Sequence, residues 1–221
     1  MYQSDRKIST QEALAHLLDT NMTKIDYDKN CKLVNKSRRI LPPYYHLEAE
    51  KLKCRPPGIS ANSHEVVVPL QNLLDHTVSR LLEDEVTQQQ IERLSDLNGG
   101  NPLLLEFIWK FGFDGSGGLG KFKQLTDEHH VPGKLFASNL VPLQIVTYVG
   151  QKIHVIYHNC LCNSPKAVRP IRHNYVNETI EIIRQEDERL ESEIRSLVQF
   201  EWTEDIKVGY IGIKSMCDQK A

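Results

Sequence analysis

The sequence predicts an α/β protein in two parts, a helical amino-terminal region over residues 1–100 and, over 101–221, three strands, a long helix and a fourth strand. Three observations carry this. From Leu103 to Asp114 the chain alternates with period two: Phe107, Trp109, Phe111 and Phe113 fall on one face, and Ile108, Lys110, Gly112 and Asp114 on the other. From Asn177 to about Val198 the apolar residues Ile180, Ile183, Leu190, Ile194 and Leu197 keep a helical period. Between the two parts, Asn98, Gly99, Gly100, Asn101 and Pro102 interrupt any regular element.

Each element has its own signal. Ser9 or Thr10 caps a helix over Gln11 to Asp19, with Ala13, Leu14, Leu17 and Leu18 on one stripe. Arg55 to Ser63, RPPGISANS, reads as a linker. A helix from about Leu70 to Leu94 would bury Leu73, Leu74, Val78, Leu81, Leu82, Val86 and Ile91. The first strand closes in Gly115, Ser116, Gly117 and Gly118, so Asp114 is expected at a strand end with nothing bulky over it. Lys134 to Tyr148 and Lys152 to His158 follow as strands two and three of a meander, separated by Gly150. Asn177 is the expected cap of the long helix, and its acidic run reads as a solvated surface. Ile206 to Cys217 is the fourth strand, ending in Asp218.

Composition narrows the function. The chain has 221 residues, 40% of them hydrophobic and 25% charged, with a net charge of −2. No apolar run approaches the roughly 18 residues of a membrane span, and the opening MYQSDRKIST has no apolar signal core, so an intracellular protein is expected. Five scattered cysteines without a CxxC pair point to reduced thiols. The charge is polarised. Lys29 to Arg55 holds eight basic residues (Lys29, Lys32, Lys36, Arg38, Arg39, Lys51, Lys53 and Arg55) against two acidic ones, while Glu181 to Asp205 holds nine acidic residues against three arginines. In the basic segment, Tyr44 and Tyr45 stand among the cations, a composition that suits phosphate contact and stacking on double-stranded DNA as well as it suits a solvated surface.

Two other chemistries fit the sequence less well. Gly115, Gly117 and Gly120 spell GxGxxG after a strand, but KFKQLTDEHHVPGK has no apolar helical stripe, and an aspartate before the loop would repel a pyrophosphate. His154 with His158, His129 with His130, and Cys160 with Cys162 have no recognised metal-ligand spacing.

The order strand, strand, strand, helix, strand is that of the first half of a ribonuclease H-like fold, in which strands one and four are parallel neighbours. Acids at the carboxyl ends of two such strands stand on backbones about 4.8 Å apart. They repel unless one is protonated or a cation lies between them, and Mg2+ suits two carboxylates and a phosphodiester.

The residues that carry this pattern resemble those of the Transib-type DDE transposases and the V(D)J recombination-activating protein 1 family. The likeness runs through WKFGFDGSGGLGKFKQ (Trp109 to Gln124), LVPLQ (Leu140 to Gln144), RPIR (Arg169 to Arg172), ETIEI (Glu178 to Ile182) and SMCDQK (Ser215 to Lys220). ISTQEALAHLLD and LPPYYHLEAEKLKC resemble it more loosely. The resemblance implies that Asp114 and Asp218 are catalytic acids binding Mg2+ or Mn2+. It also implies a nuclear protein that acts on double-stranded DNA, as a homodimer or with a partner transposase. Where relatives carry Asp-Gly-Lys, this chain has Asp218, Gln219 and Lys220. The family's third acid lies downstream of the matched region, so residues 1–221 alone are expected not to nick DNA. The expected function is thus part of a metal-dependent DNA nicking and strand-transfer enzyme. The alternative is a domesticated or degenerate fragment that binds DNA or a partner without catalysis, with a dinucleotide-binding oxidoreductase a remote third.

Overall fold

The computed structural model describes residues 7–36, 39–117 and 134–215. The chain forms two compact units, Met1–Pro56 and Pro57–Ala221. The division falls inside the stretch expected as a linker, so residues 57–100 belong with the sheet and not with the helical region.

The first unit holds three helices, α1 (Thr10–Asp19), α2 (Lys24–Val34) and α3 (Tyr44–Lys53). Ser9 caps α1 and Glu12 returns the bond to the Ser9 backbone, a complete capping box. Thr23 caps α2. The core is Ala13, Leu14, Leu17, Tyr27 and Leu47. The Tyr27 hydroxyl, inside this core, donates to the Pro42 carbonyl at 2.7 Å, and the Asn35 side chain brackets the Ile40–Leu41 backbone. Helices α2 and α3 carry no periodic signal because each buries so little, Tyr27 in α2 and Leu47 with Glu50 in α3.

In the second unit, α4 (Leu70–Leu82) and α5 (Glu85–Leu97) replace the single helix expected over 70–94. Asp84 makes the break: its carboxylate accepts the Val86 and Thr87 amides, a cap that starts a new helix. The sheet has eight strands among the described residues. They are β1 (Ser60–Ala61), β2 (Glu65–Val67), β3 (Leu103–Gly117), β4 (Lys134–Val149), β5 (Lys152–His158), β6 (Arg169–Asn174), β7 (Phe200–Glu201) and β8 (Ile206–Lys214). The order is β1-β2-β6-β4-β3-β8-β7, with β5 also on β4. β3, β4 and β5 form the antiparallel meander, and β8 lies parallel to β3. β6 is an additional strand. It takes the outer edge of β4 over Phe136–Leu140, while β5 takes the same edge over Gln144–Val149. Pro170 and the basic residues of RPIRHN disguise it in the sequence.

Alternation in β3 decides what is buried. Phe107, Trp109 and Phe111 are buried, and their partners Ile145 and Leu140 on β4 join them. Helices α4 and α6 (Ile180–Arg195) cover this face: Tyr210, paired with Phe107, donates its hydroxyl to Asp75 of α4, and Ser138 of β4 donates to Glu186 of α6. The opposite face carries exposed apolar side chains, Ile211 and Ile213 on β8 and Leu104 on β3.

Gly212 faces Trp109 across the parallel pair, and a Cβ there would stand 2.9 Å from the indole. Trp109 is fully buried and hemmed in by Phe111, with ring centroids 5.4 Å apart, so it has no room to yield. Gly212→Val is therefore expected to lower stability by about 1–3 kcal/mol, seen as a lower urea midpoint with unchanged slope.

Candidate functional site

β3 and β8 pair in parallel from Leu103↔Ile206 to Phe111↔Lys214, and the Ser215 amide continues the ladder to the Phe111 carbonyl at 2.8 Å. Asp114 lies three residues farther on, on an arm of β3 that β4 holds through Asp114↔Ala137 and on to Gly117↔Lys134. The strand thus does not end at the acid. Gly115 and Gly117, two of the three glycines of the GxGxxG spelling, are ladder residues of β3, which opposes a dinucleotide turn there. Asp114 is exposed, as expected. Asp218 lies outside the described residues, as do Arg38, His129 and His130.

Beside Asp114 the sheet forms an open recess of about 200 Å³, lined in part by Lys110, Gly112, Asn139, Val168 and Ser215. Lys110 reaches the Asn163 side-chain oxygen at 3.4 Å. On the far side of the arm, Glu178 sits so closely against Gly115 that a Cβ added there would overlap its carboxylate. A second carboxylate therefore stands one residue along from Asp114. The sequence holds no signal for this, since Glu178 reads only as a first-turn acid of the long helix.

That helix differs from its expected form. Thr179, not Asn177, caps it by accepting the Ile182 amide. Ile180, expected in the buried stripe, is exposed, and Glu186, expected on the solvated face, is buried. Glu186 accepts from Ser138 at 2.6 Å, from Arg172 at 2.9 Å, and from Arg189 at 2.9 and 2.5 Å. Arg172 also binds Glu65 of β2 at 2.7 Å, and Arg189 binds Glu193, whose other oxygen accepts the Leu70 amide at the uncapped start of α4. One ionic network thus ties β2, β4, β6, α4 and α6 together. Burial alone would raise the Glu186 carboxyl, but hydrogen bonds from Arg189 and Ser138 and the arginine charges hold it below its ordinary value.

In the first unit the basic residues are placed unevenly. Lys29, Lys32, Lys36, Arg39, Lys53 and Arg55 are exposed. Lys53 pairs with Glu50 at 2.9 Å. Lys24 and Lys51 lie over the Tyr44 ring at 5.0 and 5.7 Å, so that aromatic face is occupied by cations. Tyr45 is the exposed ring, edge-on to His46 at 4.4 Å.

On β5, His154 and His158 pair with Thr147 and Gln144. Among the described residues, no three His, Cys, Asp or Glu side chains group to hold a metal ion. No helix among them is long and apolar enough to cross a membrane. No family model matches the chain, and no curated protein matches it.

Proposed function

We propose that the chain is part of a ribonuclease H-like catalytic core of the DDE transposase type, which nicks DNA and joins strands with Asp114 and Asp218 as metal-binding acids. The observation that carries this is the parallel pairing of β3 with β8, with an exposed acid just past the carboxyl end of the paired segment. Paired positions differ by 103 in number, as Phe111 with Lys214, and the two acids differ by 104. In this reading the two acids belong to the same end of the same strand pair. Partners across a parallel pair share a face while successive residues alternate, so joint action of the acids requires one residue of irregularity between Lys214 and Asp218.

The donor chemistry fits Mg2+ or Mn2+. The Asp114 carboxylate is a hard oxygen donor, exposed, with an open recess beside it that has room for the waters such an ion retains. When bound, the ion polarises the phosphodiester and makes water, or a 3′-hydroxyl, a better nucleophile. Asp114 and Asp218 would hold it. On the β3–β4 arm the carboxylate is exposed and so accessible to a strand of duplex DNA.

The first unit binds the DNA backbone in this reading. DNA affinity should fall steeply with salt, and replacing Lys32, Lys36 and Arg39 with alanine should lower the log–log slope by roughly 0.9 for each phosphate that is no longer neutralised. A slope unchanged in the triple variant would leave the segment as ordinary surface. DNA binding that is salt-dependent but indifferent to divalent ions and to Asp114 would favour the non-catalytic alternative. Nuclear location and a partner transposase belong to the same proposal.

A further inference from the structure

We propose that the recess beside Asp114 is a phosphate subsite in which Lys110 holds the DNA backbone, a contact that rests on the reading of Asp114 as the metal-binding acid. Lys110, Gly112 and Asp114 are alternate residues of β3 and lie on one face. Gly112 lines the recess without a side chain, and a Cβ added there would lie in ordinary contact with Ser215 at 3.5 Å. Among the residues that line it, Lys110, Asn139 and Ser215 carry three kinds of hydrogen-bond donor, an ammonium, an amide and a hydroxyl.

Lys110 and Asp114 are about 13 Å apart along the strand at 3.3 Å per residue, too far for their Cα positions to favour an ion pair. Among the described residues no carboxylate pairs with Lys110, and its contact with Asn163 is to a neutral oxygen. A cation without a counter-charge and an acid that calls for a cation thus face the same opening. A phosphodiester chain satisfies both, with one phosphate on Lys110 and its neighbour at the ion on Asp114. A neutral or cationic ligand would leave Lys110 unpaired. Val141 and Val168, also in the lining, offer no competing polar side chain.

The test uses the whole chain and a fluorescent duplex DNA, titrated over a salt series in Ca2+ and again in EDTA. Lys110→Gln should weaken binding and lower the log–log salt slope by about 0.9 in both conditions. Lys110→Arg should restore both. Lys152→Gln, an exposed lysine on β5 outside the recess, should leave the slope unchanged. Near-ultraviolet circular dichroism establishes that each variant is folded. An unchanged slope in Lys110→Gln, or equal losses in Lys110→Gln and Lys152→Gln, overturns the subsite. The reading of Asp114 fails separately, if Ca2+ raises affinity equally in the wild type and in Asp114→Ala. A Lys110 effect that persists after that failure leaves a phosphate contact without a metal centre.

Discussion

Asp114→Ala is expected to lower DNA nicking roughly a thousandfold in any form of this protein that nicks DNA, and Asp218→Ala to do the same. Removing one preorganised group that stabilises developing charge typically costs about 3–4 kcal/mol in the barrier, which is a factor of roughly 160 to 900 in rate. The effect should fall on the chemical step, because Asp114 is exposed on the β3–β4 arm and packs into no core. DNA affinity in EDTA should hardly change. Combining both substitutions should cost little more than either, since the two acids would act on one ion. Single-turnover nicking in Mg2+ and Mn2+ measures this. Undiminished nicking by either variant, with its fold intact, would remove that residue from the reaction.

Glu186→Ala is expected to destabilise the second unit by about 3 kcal/mol, the low end for a broken buried ion pair, because Arg172 and Arg189 lose the buried carboxylate they share but keep Glu65 and Glu193. The pH dependence has a defined sign. The carboxyl is held below its usual 4.5 in the folded state, so its stabilisation is present above that value and disappears as pH falls through the lower folded value. The wild type should lose stability through this acid range, and Glu186→Gln should lose less there while starting from a lower stability at neutral pH. Urea unfolding at neutral pH and at several acid values reads both numbers. A Glu186→Ala variant as stable as the wild type would show that the network is incidental.

Much of the sheet was legible in the sequence, for physical reasons that differ by element. β3 and β5 announce themselves because one face is aromatic or apolar and the period is two, and the expected bounds of β5, Lys152 to His158, are those observed. Parity in β3 separated the aromatic face, which is the buried one, from the face that carries the exposed Asp114. The parallel placement of β8 followed from topology, with the connecting helix as the crossover.

What was not legible depends on distant partners. Glu186 reads as surface until Arg172, fourteen residues away on β6, and Ser138 on β4 are brought to it. β6, with Pro170 and its basic residues, gives no strand signal of its own and forms on the outer edge of β4. The break at Asp84 is local and could have been read, since an aspartate two and three residues before the amides of Val86 and Thr87 is an ordinary cap. The long apolar stripe across Leu82 and Val86 concealed it, and Val86 proves to be exposed.

The central claim, that Asp114 and Asp218 act on one ion, is tested most directly by iron-directed backbone cleavage. Fe2+ replaces Mg2+ at such sites, and with ascorbate and peroxide it generates hydroxyl radicals that cut the nearest peptide bonds. Cuts are expected near both residue 114 and residue 218, competed away by Mg2+ and lost together on Asp114→Ala or Asp218→Ala. Cleavage confined to one of the two acids, or surviving both substitutions, would contradict it.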